Sequence, residues 1–126
     1  MKFCNILMNT TSFNTGEGII YQSYVGDQTQ DTIEQAAREI MPLVEASRKN
    51  TGKVLIIVNV SQLGAFDFGA KRAALKAIGP VKFDKLALVG ASESIPFLVQ
   101  VIMTQATHER FSTFETEEDA RVWVQL

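Results

Sequence analysis

The sequence predicts a single-domain α/β fold built on a mixed, largely parallel five-stranded sheet with about four helices. Three observations predict it. Val54-Leu55-Ile56-Ile57-Val58 is an unbroken apolar run, as a strand covered on both faces of a parallel sheet requires. A second such run, Leu86-Ala87-Leu88-Val89, follows a segment with helical spacing, so the two strands can lie parallel with that helix as a right-handed crossover. The length of 126 residues, with 46% hydrophobic and 21% charged residues, suits one core and one domain.

The elements follow from local signals. Residues 3–13 and 18–25 read as two strands separated by the turn signal Asn14-Thr15-Gly16-Glu17-Gly18, with Ile19, Tyr21 and Val25 as strand formers. After Gly26, Asp31 or Thr29 can cap a helix whose Ile33, Ala36, Ala37, Ile40 and Val44 form one apolar stripe. Pro42 lies inside that stripe. It lacks an amide hydrogen and crowds the carbonyl four residues back, which predicts a kink within one helix. The central strand at residues 53–59 follows, ahead of a helix capped by Asp67. That helix ends at Gly79-Pro80, where Gly79 is expected to turn left-handed and Pro80 to stop the helix.

Beyond the 86–89 strand, which ends at Gly90, residues 95–106 read as a third helix. Ser92 or Ser94 is its expected cap, and Pro96 sits in its first turn, where early amides lack partners anyway. A last strand spans residues 111–114. The closing helix opens on Thr116-Glu117-Glu118-Asp119, a hydroxyl cap followed by three acids at the positive end of the helix dipole, with Ala120, Trp123 and Val124 toward the core.

Composition narrows the chemistry. A net charge of −2 argues against a general binder of nucleic acid or anionic membrane, which needs a positive field. The single cysteine, Cys4, cannot close an internal disulfide, and the apolar run near it is interrupted by Asn5 and too short to cross a membrane. A cytoplasmic protein without membrane insertion is expected. His108 and Cys4 are the lone members of their types on separate elements, so no Cys-His pair or metal cluster is expected, and no cofactor. Gly90-Ala91-Ser92-Glu93-Ser94 lacks the final glycine of a nucleophile elbow, and the chain is expected not to be an enzyme.

The element order, the GAFDFGAKRAALKAIGP segment, the VGAS after the next strand and the closing FETEEDARVWV together resemble the STAS-like superfamily over nearly the whole chain. That superfamily includes the bacterial anti-sigma-factor antagonists and is related in fold to CRAL-TRIO lipid-transfer domains. The resemblance is greatest to its small standalone bacterial members of undefined function. It implies one STAS-like domain over residues 1–126 that works by binding. In the antagonists a serine follows an aspartate at the start of the helix after the central strand, and its phosphorylation controls partner binding. Asp67 matches that aspartate, but Phe68 stands in the serine's place and has no hydroxyl to phosphorylate. Ser61 lies earlier in the same expected loop and does not match the position.

The expected function is therefore a non-enzymatic STAS-like binding or regulatory module. Its partner-facing surface is the expected loop at residues 61–69 with the helix after it: Ser61, Gly64, Phe66, Asp67, Phe68, Gly69, Lys71 and Arg72. Lys76, Lys82 and Lys85 extend the positive charge nearby. In the third helix, Phe97 and Val101 stand four residues apart and away from the stripe of Ile95, Leu98, Val99 and Ile102, which marks them for self-association in a homodimer or for an apolar ligand. The alternative function is accordingly a small carrier or sensor of an apolar, lipid-like molecule, with its pocket beside residues 95–106.

Overall fold

The structure, a computed structural model of the chain, describes residues 9–91, Gln100 and residues 109–126. The described elements run β1 (Thr10–Asn14), β2 (Ile19–Gln28), α1 (Gln30–Thr51), β3 (Leu55–Phe66), α2 (Phe68–Ile78), β4 (Lys85–Val89), β5 (Phe111–Phe114) and α3 (Glu117–Val124). The sheet order is β1-β2-β3-β4-β5. β1 is antiparallel to β2, and every other neighbouring pair is parallel. The sheet is thus mixed and largely parallel, with β3 at its centre, as the apolar run at residues 54–58 predicts. Of the helix expected at residues 95–106 only Gln100, helical and exposed, is described; Ser92, Ser94, Phe97, Val101 and His108 lie outside the described residues, as does Cys4.

The period-two alternation of the strands sorts the core onto two faces. Ile20, Ile56, Leu86, Leu88 and Phe111 share one cluster with Ile40 and Val44 of α1. Their neighbours Ile19, Ile57, Ala87 and Val89 face the other way and meet Ala120 and Val124 of α3. Ala70 and Ala73 of α2 pack on Ile33 of α1, so α1 and α2 lie on the first face together.

Local chemistry fixes the helix ends. Thr29, one of the two expected caps, opens α1: its hydroxyl accepts from Thr32 N–H, and the Thr32 hydroxyl accepts from Thr29 N–H at 2.9 Å. The helix then continues through Pro42, whose ring is exposed. It ends at Gly52, left-handed at φ +76°, whose N–H donates to Arg48 O at 2.9 Å. Gly79 departs from expectation. It stays right-handed at φ −57° and ψ −49°, because the chain leaves α2 through a turn in which Val81 N–H donates to Ile78 O at 3.2 Å. Pro80 needs no left-handed glycine before it to stop the helix.

Candidate functional site

The surface expected to meet a partner forms where β3 ends and α2 begins. Residues 61–66 are not a loop, as their polar and glycine-containing sequence suggests, but the outer half of a twelve-residue strand. β4 accompanies β3 only from Leu55 to Asn59, whereas β2 pairs with it as far as Phe66, through register shifts near Tyr24 and Asp27. The shifts free carbonyls that need partners. Buried Gln28 supplies them, its amide donating to Val25 O at 3.2 Å and Gly26 O at 3.1 Å. Asp27 completes the junction, its Oδ1 accepting from Ala65 N–H at 2.8 Å. Gly64 has no Cβ at the position where one would overlap that carboxylate and lie 3.0 Å from Asp27 N.

Ser61 is exposed but bound locally: its N–H and hydroxyl donate to Asn59 Oδ1 at 2.9 and 2.7 Å. Asn59 in turn donates from Nδ2 to Glu117 Oε2 at 2.9 Å, which ties β3 to the start of α3. Gly90, left-handed at φ +79°, packs against Ser61 so closely that a Cβ on it would stand 2.6 Å from Ser61 Cβ and 2.8 Å from Ser61 Cα. Asn59 and Glu117 were not singled out by the sequence, since nothing in their spacing reveals a contact between elements so far apart in the chain.

Asp67 separates β3 from α2 and caps the helix, with Oδ1 accepting from Ala70 N–H at 2.7 Å. Phe68, directly after it, is 72% exposed, and the Arg72 guanidinium lies 5.4 Å from its ring centroid. Gly69 is half-buried beside Gln30 with room for a Cβ at 3.5 Å, so its position does not require glycine. Phe66 turns inward, packing with Ile33, Ala70 and Ala73. Lys71, Arg72 and Lys76 are exposed on a helix that contains no acidic residue. Lys85 does not join them. It lies on the opposite sheet face, with Nζ 3.0 Å from Trp123 O and 5.0 Å from the Trp123 ring centroid.

The two tyrosines mark the two faces. On the α3 face, burial and the hydrogen bond to Glu17 at 2.6 Å push the Tyr21 hydroxyl up to about 12. On the α1 face, burial raises Tyr24 further, with the Glu39 charge adding to it. Tyr24 donates to Gln22 Oε1 at 2.7 Å, and Gln22 Nε2 donates to Thr11 Oγ1 and Ala36 O, both at 3.1 Å. These two side chains are the polar part of an apolar cavity of about 100 Å³ between α1, α2 and the sheet. Every hydrogen they can donate already has a partner. The described residues contain no group of three or more His, Cys, Asp or Glu side chains that could hold a metal, and no helix long and apolar enough to cross a membrane.

Residues 19–125 match the family model described as SpoIIAA-like. The chain belongs to the SpoIIAA-like family. A solved structure similar to it is that of an uncharacterised DUF3478-family protein with a SpoIIAA-like fold from Shewanella loihica PV-4, at 21% identity and a TM-score of 0.65, covering 98% of this chain and 99% of that one. No curated protein matches the chain. In this SpoIIAA-like protein, Asp67 caps α2 at its junction with β3, Phe68, Lys71 and Arg72 are exposed in the first turns that follow, and Ser61 and Gly64 lie on the strand leading to them.

Proposed function

We propose that this SpoIIAA-like protein is a non-enzymatic cytoplasmic binding module whose protein partner docks on the end of β3 and the outer face of α2. The observation that carries the reading is Phe68, a large apolar side chain 72% exposed at the first position of a capped helix. Exposed aromatic and arginine side chains are the commonest anchors of protein interfaces, and here Arg72 already stacks on Phe68. Control does not run through phosphorylation at this position, because Phe68 offers no hydroxyl. The test is a photo-reactive phenylalanine at position 68, cross-linked in cells beside the Arg72→Glu variant. A discrete protein adduct that Arg72→Glu abolishes while the thermal melt is unchanged supports docking. No adduct, or one indifferent to Arg72→Glu, refutes it.

A further inference from the structure

Among the described residues, the large apolar side chains left exposed are Phe68, Leu75, Val122 and Leu126. They fall into two pairs of opposite electrostatic character. Phe68 and Leu75 lie on α2 with exposed Lys71, Arg72 and Lys76, forming a basic-apolar stripe. Val122 and Leu126 lie on and just beyond α3 with exposed Glu115, Glu118 and Asp119, forming an acidic-apolar stripe. Phe68, Lys71, Arg72 and Leu75 stand at i, i+3, i+4 and i+7 and mark one side of α2, while Glu118, Asp119 and Val122 share one side of α3 and exposed Glu115 stands just before its Thr116 cap.

We infer that these stripes are the two halves of a head-to-tail contact, in which α3 of one copy docks on α2 of the next. Charge complementarity selects a second copy as occupant: the exposed bases of α2 meet the exposed acids at and just before the start of α3, with an apolar pair on each surface. The two stripes cannot meet within one molecule. α2 covers the sheet face of Ile56, Leu86 and Leu88, whereas α3 covers the face of Ile57, Ala87 and Val89. The contact joins two different surfaces, so it is heterologous and leaves an unused stripe at each end of a pair. Such contacts propagate into rings or open chains. Two short helices make a small, charge-led interface, so association is weak and falls with salt.

The inference rests on the reading of α2 as a docking surface. The test is sedimentation velocity of the whole protein from about 10 µM to about 1 mM, a range that brackets small transient contacts. Wild type should gain mass with concentration, and lose that gain between about 50 mM and about 500 mM salt as screening shortens. Arg72→Glu/Lys76→Glu and Glu115→Lys/Glu118→Lys should each be monomeric with unchanged circular dichroism. Each variant retains one intact stripe, and the two reversed stripes are complementary to each other, so an equimolar mixture should regain the association that each variant alone has lost. A wild type that stays monomeric, variants that associate as wild type does, or a mixture that regains no association overturns the inference. If Arg72→Glu removes the cross-link at position 68 but the sedimentation experiment fails, the docking surface stands and its occupant is another protein. Loss of neither refutes both readings.

Discussion

Three glycines separate conformational strain from steric overlap, and their alanine variants make a quantitative test of how closely β3 and β4 are held. Gly52 and Gly90 have nearly the same positive φ, +76° and +79°, where a side chain costs about 1 to 2 kcal/mol. Nothing lies within 4 Å of a Cβ at Gly52. A Cβ at Gly90 would stand 2.6 to 2.9 Å from Ser61 Cβ, Cα and N, and the last two are backbone atoms that cannot rotate away. Overpacking of this kind adds about 1 to 3 kcal/mol. The loss of unfolded-state entropy from glycine to alanine is common to both variants and cancels in the comparison. Gly52→Ala should therefore cost about 1 to 2 kcal/mol and Gly90→Ala about 2 to 5 kcal/mol. At about 4 °C per kcal/mol for a domain of this size, the midpoints should fall by about 4 to 8 °C and about 8 to 20 °C. Gly64→Ala, which meets Asp27 without a left-handed backbone, should fall between them and lose the Asp27 to Ala65 hydrogen bond in amide exchange. Thermal melts followed by circular dichroism decide the matter. If Gly90→Ala melts within about 2 °C of Gly52→Ala, the overlap term is absent and the close approach of Gly90 to Ser61 does not hold the site.

Asp67→Ala should lose about 1 kcal/mol in chemical denaturation while Asp67→Asn stays near wild type, because either side chain can accept from Ala70 N–H; equal losses would remove the cap as the explanation. Ile56→Asp should yield no cooperatively melting protein, since Ile56 is 1% exposed and a carboxylate there has no partner; a soluble, two-state variant would place the core elsewhere. Tyrosine absorbance should show little ionisation near pH 10, where unfolded tyrosine titrates, because both hydroxyls are raised, Tyr21 to about 12. The sign follows: the raised pKa favours the neutral phenol in the fold, so this stabilisation is complete below about pH 10 and is lost as pH climbs through about 12. Half-ionisation of Tyr21 at pH 10 in folded protein would contradict its burial and its bond to Glu17.

The parallel pairing of β3 with β4 was legible because unbroken aliphatic runs are what a two-sided burial demands. The caps at Asp67 and Thr116 were legible because a short acceptor side chain ahead of bare amides is a local feature, and Thr116 Oγ1 does accept from Asp119 N–H at 3.2 Å. The outer half of β3 was not. Ser61, Gln62, Gly64 and Ala65 carry a turn-like sequence, and they become strand only because β2 follows them through its irregular register, with Gln28 and Asp27 binding the groups this leaves unpaired. That information is spread over two segments and cannot be seen in either. The expectation for Gly79 failed for a related reason: a glycine before proline permits the left-handed cap, but the bond from Val81 to Ile78 decides the turn. Of the candidate site, Asp67, Phe68, Lys71 and Arg72 were visible as a charged and aromatic helix start. Leu75 was overlooked although it lies one turn beyond Arg72, and its exposure of 48% depends on where α1 packs.

The order of strands in the sheet is also their order in the chain. During synthesis, which delivers the N-terminus first, each strand that emerges finds the edge it belongs to already present, and no later strand has to be inserted between two earlier ones. The growing sheet can therefore be extended one strand at a time as the ribosome supplies it. The same order means that every intermediate length ends in a bare edge: β3 waits for β4, and its aliphatic run at Ile56 and Ile57 is the most adhesive edge of all while it waits. Slowing the emergence of residues 66–85 from the ribosome should lengthen that exposure, and this is the interval in which a chaperone would have most to shield.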